Sequence, residues 1–435
     1  MKLLLVTLLS LVIEAKASVP ELFGPSAASM AIGSQALKES AANNYHAAAL
    51  LGYSKTTLFS FDVFYIDTQF SDIHNVTIKN STNTVNSLET GHVKVNSSPS
   101  TMLGAHVSTP LFSPEGPKLN FSLFTPFDRL LEASSGDPYL PRYVMYQDRM
   151  LRPILVASLA QSFHSWSFSA GLHTGLQANG ESYFITRMSG GEASLGKISF
   201  NAKPSIAATA SIARKNEEHV SYLSFKQEMK SQFQNRATGE TDVAGGGFGQ
   251  FDLTLSSLLY YDPMTLKLGH QIHSDETSIY FSIEFQQWDH YESSILKLKK
   301  NSGTINGSEN FENLKLINIV IPRIGIERAL SLKWKGKVGY FFRQSPIDFE
   351  NLKNSGNTID VDKHVASIGV AHDFNIYEKN ITLDMVYQCH FLQSRKIIKT
   401  PNREDGDPSQ PKIGSPGYRV GGMIHALSFG LNWKY

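Results

Sequence analysis

The sequence predicts an all-β chain that closes into a transmembrane antiparallel β-barrel of about 14 strands, preceded by a short helical segment. Apolar and polar residues alternate along many short segments, which is typical of strands with one apolar face. Short turns alternate with long loops between these segments, and the chain ends with an aromatic residue on the last of them. A soluble β-sandwich also shows alternation, but it has no reason to sort its connections by length.

Composition excludes several other classes of protein. The chain has 435 residues, a net charge of +1 and one cysteine, Cys389. Balanced charge argues against a nucleic-acid-binding protein, which needs a basic surface. A single thiol excludes an intrachain disulfide framework and any site built from several cysteines. We therefore expect no nucleic-acid partner and no cofactor.

The first residues predict export from the cytoplasm. A basic start at Met1-Lys2 precedes an apolar run over 3–13 and the small residues of Ala15-Lys16-Ala17. This order is typical of a cleaved secretory signal peptide over 1–17; the alternative is an N-terminal anchor. No later window reaches 18 consecutive apolar residues, so the mature chain is predicted to be soluble or to cross a membrane as a closed barrel.

Residues 18–53, called the hatch below, differ from the rest of the mature chain. The stretches 27–31 and 41–51 are rich in alanine and lack the period of a strand. They predict short helices that fill the lumen as a plug, and the barrel is then expected over 54–435.

Alternation places the predicted strands and their faces. On the first strand, Phe59, Phe61 and Val63 share one face, while Ser60 and Asp62 share the other. The predicted strands cover 56–72, 101–110, 119–126, 143–161, 166–176, 204–213, 220–233, 251–273, 278–288, 315–328, 332–342, 364–374, 380–390 and 425–435.

No catalytic or metal-binding pattern stands out. His270 and His273 are three residues apart, and on a strand this spacing sends them to opposite faces. The glycine-rich stretch 244–249 lacks the Lys-Ser/Thr ending of a phosphate-binding loop and is interpreted as the apex of a loop. The sequence therefore predicts neither a catalytic residue nor a metal ligand.

Several weak motifs resemble the FadL-type outer-membrane transport proteins for long-chain fatty acids and other hydrophobic compounds. The resemblance extends from about Phe23 to Tyr435. It is carried by the hatch segments 23–30 and 44–50, the Thr-Pro-Phe at 125–127, the segment 155–172, the Phe-Gln-Gln-Trp at 285–288, and Lys-Val-Gly-Tyr at 337–340 followed by Ser345-Pro346.

Departures from the family pattern concern the hatch first. The hatch positions Tyr45, His46 and Ala47 stand where the family has Tyr-Asn-Pro, and Ala49 replaces its glycine. Proline fixes φ and glycine permits positive φ, so the hatch turn is expected to differ. Elsewhere, Asp128 stands where glycine usually follows Thr-Pro-Phe, and lysines stand at two positions, Lys226 and Lys337, where arginine is common.

The resemblance implies a passive channel in the outer membrane of a Gram-negative bacterium, most simply for long-chain fatty acids, and no enzyme activity. The ligand would be captured by the extracellular loops 177–203 and 234–250, enter a mostly apolar pocket in the lumen and leave when the hatch moves. It also implies contact with outer-membrane lipid and lipopolysaccharide, and a monomeric state.

Three basic residues are candidates to bind a fatty-acid carboxylate, because an unpaired buried charge is costly. Lys315 lies close to the position where the family resemblance implies a head-group lysine. Arg187, in the first capture loop, and Lys226 are the other two. The alternative for each is a solvated base whose stem covers apolar surface.

The competing interpretation is a non-specific porin or an adhesive structural barrel. A porin favours charged faces toward the lumen. The inward positions Ser167, Ser169, Gly171, Ser428 and Gly430 are small and uncharged, which argues against a charge-selective pore.

Overall fold

The computed structural model of the protein describes most of the mature chain. The described residues are 20–22, 24–79, 89–95, 99–127, 140–143, 146, 152–175, 178–186, 194–202, 205–243, 247–291, 297–303, 316–348, 357–376, 379–399 and 413–435. The predicted signal peptide lies outside this set, so its cleavage stays a prediction.

The hatch folds into short helices, as its alanine-rich sequence predicts. Two are α-helices, α1 over Ala27–Ala31 and α2 over Asn43–His46. Two are 3₁₀-helices, over Pro20–Leu22 and Ala48–Tyr53. Ser26 caps α1, since its hydroxyl accepts a hydrogen bond from the backbone N–H of Ser29 at 3.2 Å. The rest of the described chain is dominated by strands.

In chain order the strands are β1 Leu58–Phe70, β2 Ile73–Lys79, β3 Glu89–Val93, β4 Ser100–Pro110, β5 Lys118–Pro126, β6 Ile154–Phe163, β7 Trp166–Gly175, β8 Ala178–Thr186, β9 Ser194–Ala202, β10 Ile206–Lys215, β11 His219–Lys226, β12 Met229–Val243, β13 Gly247–Asp262, β14 Met264–His273, β15 Thr277–Gln287, β16 Lys297–Gly303, β17 Ile319–Ala329, β18 Trp334–Arg343, β19 Lys363–Ile376, β20 Lys379–Ile398 and β21 Gly417–Lys434.

Fourteen of the described strands form a closed antiparallel barrel, which confirms the predicted fold class. Its order is β1-β21-β20-β19-β18-β17-β15-β14-β11-β10-β7-β6-β5-β4, and β4 pairs with β1. The first and last strands close the ring with Leu58 opposite Lys434 and Phe70 opposite Gly422. Closure leaves the barrel without a free edge, as a structure in lipid requires.

Burial follows the predicted alternation and separates an outer from an inner face. On β1, Ser60 and Asp62 are buried toward the lumen, whereas Phe61 on the outer face is 41% exposed. Outward residues of the other barrel strands form an apolar belt that includes Leu123, Leu159, Phe168, Leu223, Leu268, Ile283, Val320, Val338, Ile368, Leu427 and Leu431. Such a belt matches the hydrocarbon layer of a membrane.

Connections between barrel strands are sorted by length, as predicted. The turns 164–165, 216–218, 274–276 and 330–333, with the longer turn 111–117, join strands at one end of the barrel, called the short-turn end, where β19 also ends and β20 begins. All connections at the opposite end, called the long-loop end, are longer. At the short-turn end, Phe59 stacks on Trp433 with centroids 5.0 Å apart, and Phe163, Trp166 and Trp334 are exposed.

Several predicted strands were wrong in extent. The predicted strand 220–233 divides into β11 and β12, which lie in different sheets, and a proline explains two further cases. The predicted strand 251–273 divides at Pro263 into β13 and β14, which belong to different sheets. The predicted strand 143–161 begins only at Ile154, directly after Pro153. Proline lacks the N–H that a ladder needs. Tyr143 instead stacks on Phe70 at 4.4 Å.

Predicted loops at the long-loop end contain further strands. A five-stranded sheet has the order β16-β13-β12-β9-β8, and β2 pairs with β3 in a two-stranded ribbon. The described residues of both predicted capture loops belong to this five-stranded sheet, in the antiparallel pairs β8–β9 and β12–β13. Among the described residues, no helix is long and apolar enough to span a membrane.

Candidate functional site

Polar side chains of the barrel wall bind the backbone of the hatch inside the lumen. The backbone N–H of Ala27 donates to Asp62 Oδ1 at 2.8 Å, and Gln271 Nε2 donates to the carbonyl of Ala36 at 2.9 Å. Further donors to hatch carbonyls are Arg323, Ser367 and Gln388. Buried backbone groups require such partners, so the inner face is polar where the hatch contacts it.

Charged residues also line the lumen, and the expectation of an uncharged inner face was wrong. Lys337 Nζ lies 2.6 Å from Asp384, and Lys267 Nζ lies 2.7 Å from Glu284. Ser167 and Ser428 are buried as predicted, but the small inward residues chosen from the sequence do not represent the whole inner face. Lys267 and Glu284 face each other across the hairpin of β14 and β15, whereas Lys337 and Asp384 lie on β18 and β20, with β19 between them.

A cavity lies between the hatch and the barrel wall toward the long-loop end. Its volume is about 100 Å³. Its lining combines apolar side chains such as Ile154 and Trp288 with many charged ones, so the expected mostly apolar pocket is corrected to a mixed one. Four cations and three anions face it: Lys226, Lys267, Arg323 and Arg343, with Glu21, Asp262 and Glu284.

Lys226 is the predicted head-group residue that the structure places in this cavity. It projects from the end of β11, and its Nζ lies 3.8 Å from the centroid of the Tyr45 ring. Such a cation–π contact holds the ammonium in place without neutralising it. Among the described residues, no carboxylate lies within ion-pair distance of Lys226, in contrast to Lys267 and Arg343. Lys315 and Arg187 lie outside the described residues.

Two of the three predicted hatch residues lie at the same cavity, whereas Ala47 is not part of its lining. Tyr45 and His46 line it, and His46 Nε2 lies 2.8 Å from the hydroxyl of Ser29. His46 Nδ1 is buried and has no hydrogen-bond partner among the described residues. Burial lowers the pKa of His46 well below its ordinary value, so this hatch imidazole is neutral. It offers a polar group to a ligand without adding charge.

Departures from the family hatch have a local structural consequence. Ala47 follows α2, and its backbone N–H donates to the carbonyl of Asn43 at 2.7 Å, a bond that a proline at this position lacks. Ala49 is not among the residues with positive φ, so no glycine is required there. Its N–H donates to Ser211 at 2.8 Å. Backbone hydrogen bonds therefore hold this turn in place of a rigid proline.

A buried ionic cluster joins the hatch to the barrel, and sequence reasoning missed it. Glu21 Oε1 lies 2.8 Å from Arg343 Nε, and Glu21 Oε2 lies 2.7 Å from Lys363 Nζ. Arg343 also contacts Asp360 at 3.0 Å, and Lys363 donates to the hydroxyl of Tyr146 at 2.8 Å. No signal in the sequence links these residues, which come from the hatch, two strands and two loops.

Glu21 is ionised in this cluster. Burial alone opposes its ionisation, but the adjacent charges of Lys363 and Arg343 outweigh burial and hold the pKa of this hatch carboxyl well below its usual range. The contact with Arg343 Nε is an ion pair without hydrogen-bond alignment, and Arg343 Nη2 has no hydrogen-bond partner in the described part of the chain. Arg343 therefore keeps donor capacity.

Asp62, His106 and Ser122 stand in a row on β1, β4 and β5, in an order that resembles a hydrolase triad. His106 Nδ1 lies 2.8 Å from Ser122 Oγ, but His106 Nε2 lies 3.8 Å from Asp62 Oδ2. Ser122 Oγ also accepts from Asn44 of the hatch at 3.0 Å, and these three residues are not part of the cavity lining. Asp62 and Ser122 bind the hatch residues Ala27 and Asn44, so the row serves to attach the hatch to the barrel wall.

A second cavity lies on the other side of the hatch, toward the short-turn end. Its lining includes Lys38 and Glu39 of the hatch with Lys337, Asp384 and other barrel residues. The hatch thus separates two spaces within the lumen, which is what a plug does.

Comparison with known structures identifies the fold. A FadL homologue of Pseudomonas aeruginosa matches with a TM-score of 0.62 and 13% identity, covering 97% of this chain and 99% of that chain. The toluene transporter TodX of P. putida matches with 0.58 and 12%, covering 95% and 99%. The monoaromatic hydrocarbon channel CymD matches with 0.56 and 13%, covering 96% and 99%. The structural neighbours of this chain are therefore FadL-type barrels, as the motifs predicted.

Sequence comparison gives a shorter match. Alkane uptake protein A of Marinobacter nauticus is 25% identical over 189 residues, which cover 42% of this chain and only 38% of that protein's length. No protein-family model matches the chain.

Proposed function

We propose that the protein is a passive channel of the Gram-negative outer membrane for hydrophobic compounds with an anionic head, long-chain fatty acids being the best match. The fold shared with a FadL homologue and with hydrocarbon channels supports a hydrophobic compound as the ligand class. The apolar belt around a closed barrel supports the membrane location.

The main support for a ligand with an anionic head group is the environment of Lys226. It lies on the cavity wall against Tyr45, and none of the described carboxylates neutralises it. The other cations of the cavity wall have acidic neighbours, such as Glu284 for Lys267 and Glu21 for Arg343. A ligand carboxylate would give Lys226 an anionic partner. Such a charge-assisted hydrogen bond is worth about 1.5–3 kcal/mol.

A neutral hydrocarbon is the second candidate ligand, favoured by the partial match to alkane uptake protein A. The charged cavity argues against it, because an alkane would desolvate these side chains without replacing their hydrogen bonds. A non-specific porin is the third candidate, and the hatch that divides the lumen argues against it.

The test compares two ligands that differ only in the head group. Palmitate and hexadecanol are titrated against the protein in lipid nanodiscs, as wild type, as Lys226→Met and as Lys230→Met. Methionine keeps the apolar stem over Tyr45 and removes the charge. Lys230 is the matched control, because it is exposed and pairs with Glu228 at 3.7 Å, away from the cavity.

We expect Lys226→Met to weaken palmitate binding about ten-fold or more and to leave hexadecanol binding nearly unchanged. Lys230→Met should alter neither. Equal losses for the two ligands would remove Lys226 from the head-group site. A wild type that binds hexadecanol or an alkane but no palmitate would move the function to neutral compounds.

A further inference from the structure

We propose that Arg343 and Lys363 form a second carboxylate-binding site, which Glu21 of the hatch fills in the resting channel and which the carboxylate of the ligand takes over. The inference rests on the proposed function in one respect, namely that the ligand carries a carboxylate. Glu21 then competes with the ligand carboxylate for the same two cations.

The geometry is that of a carboxylate receptor. Each oxygen of Glu21 has its own cation, with Arg343 Nε at 2.8 Å from Oε1 and Lys363 Nζ at 2.7 Å from Oε2. Nothing in this contact depends on the rest of the glutamate, so any carboxylate that reaches the same point meets the same two cations. Arg343 Nη2 remains as an additional donor among the described groups.

Arg343 and Lys363 each have a further contact besides Glu21, so the site persists when Glu21 leaves. Asp360 contacts Arg343 Nη1 at 3.0 Å, and the hydroxyl of Tyr146 accepts from Lys363 at 2.8 Å. The side chains of Arg343 and Lys363 are 1% and 0% exposed. Removal of Glu21 leaves two buried cations with one anion, Asp360, and uncompensated buried charge is costly. The vacated site therefore requires a new anion.

A ligand can reach this site from Lys226 without leaving the cavity. Glu21 and Arg343 belong to the same cavity wall as Lys226, and the Trp288 ring lies 5.7 Å from the Arg343 guanidinium. We infer a sequence of two contacts, in which the carboxylate meets Lys226 first and then exchanges with Glu21. The exchange conserves charge, since one carboxylate replaces another.

Exchange would release one end of the hatch and leave the rest attached. Glu21 lies in the 3₁₀-helix Pro20–Leu22, whereas α1 has separate bonds to Asp62 and Gln388. A ligand carboxylate therefore frees residues 20–22 by displacing Glu21, whereas a neutral lipophile cannot displace it.

The test uses Glu21→Gln, which keeps the shape of the side chain and removes its charge. Glu39→Gln is the matched control, because Glu39 is also a hatch glutamate paired with a barrel lysine, Lys434, but at the other cavity. Full-length proteins in nanodiscs are titrated with decanoate and decanol, and hydrogen exchange is followed over residues 20–26.

We expect Glu21→Gln to raise the ratio of decanoate to decanol affinity at least ten-fold and to speed exchange over 20–26 without ligand. In the wild type, decanoate but not decanol should speed this exchange. Glu39→Gln should match the wild type, and adding Arg343→Gln to Glu21→Gln should abolish the gain. An unchanged affinity ratio in a folded Glu21→Gln protein would overturn the proposal.

Acetate tests the second carboxylate site independently of the proposed function, because acetate is a carboxylate without a hydrophobic tail. Acetate should raise the melting temperature of Glu21→Gln but not that of the double variant. Should fatty acids fail to bind the wild type while acetate stabilises Glu21→Gln, the proposed function fails and the second site stands. Absence of stabilisation by acetate counts against the site. Where Glu21→Gln does not fold, Glu21→Asp, with a shorter reach, is expected to show the same changes to a smaller extent, and a wild-type affinity ratio would refute the site.

Discussion

Lys337→Met tests whether the buried ionic contacts of the lumen hold the barrel together. Lys337 Nζ lies 2.6 Å from Asp384 and 3.2 Å from Glu327, and the side chains of Lys337 and Asp384 are only 4% and 1% exposed. After the substitution, Asn432 Nδ2 at 2.9 Å is the remaining hydrogen-bond partner of Asp384 among the described residues. Removal of one partner of a buried pair typically costs about 3–5 kcal/mol, because the other charge stays buried.

Lys335→Met provides the control on the same strand. Lys335 pairs with Asp373 at 3.2 Å, but these side chains are 39% and 36% exposed. Exposed pairs contribute about 0–1 kcal/mol, since water and ions screen them. The two substitutions remove the same group from β18, so burial is the main difference between them.

The assay is urea unfolding of protein refolded into lipid vesicles, followed by tryptophan fluorescence. We expect the free energy of unfolding to fall by about 3–5 kcal/mol for Lys337→Met and by less than about 1 kcal/mol for Lys335→Met. The double variant Lys337→Met with Asp384→Asn should recover part of the loss, since it removes both charges. Equal costs for the two lysines would refute the argument from burial.

Three further predictions concern topology, the lipid face and the remaining head-group candidates. In a Cys389→Ser background, an impermeant thiol reagent should label Ser135→Cys on whole cells but not Asn216→Cys, and the reverse would invert the orientation. Ile283→Lys, on the outer belt, should destabilise the barrel by about 2–4 kcal/mol in the vesicle unfolding assay if Ile283 lies near the bilayer midplane. Lys315→Ala and Arg187→Ala are each expected to weaken palmitate binding selectively over hexadecanol; equal effects on both ligands would exclude that residue.

The barrel was predictable because its signals are local. Alternation along β1 or β21 is written in consecutive residues, and it assigned Phe61 to the outer face and Ser428 to the lumen correctly. The same signal failed at Pro263, where alternation continues across a residue that ends one strand and lets the next join another sheet. Strands within the long loops, such as β8, β9 and β16, were missed because only the segments chosen by alternation were counted as strands and the rest were treated as connections.

The charged lumen was not predictable from the sequence in the same way. Glu21, Arg343 and Lys363 form one cluster, yet up to 342 residues separate its members along the chain. Each of these residues alone resembles a solvated surface residue in the sequence. Arg343 and Lys363 pair across β18 and β19, and the cluster forms only when the hatch brings Glu21 to them. Lys226 was identified as a candidate from its charge, whereas its contact with Tyr45 required the hatch in place.

Conductance in planar bilayers tests most directly the central claim that the hatch closes this barrel to water and ions. The account predicts almost no steady ion current through the full-length protein. It predicts a clear current once residues 18–35 are removed, because this deletion takes away α1, Glu21 and the bonds to Asp62 and Gln388. A large steady conductance of the full-length protein, or none from a correctly folded truncation, would contradict it.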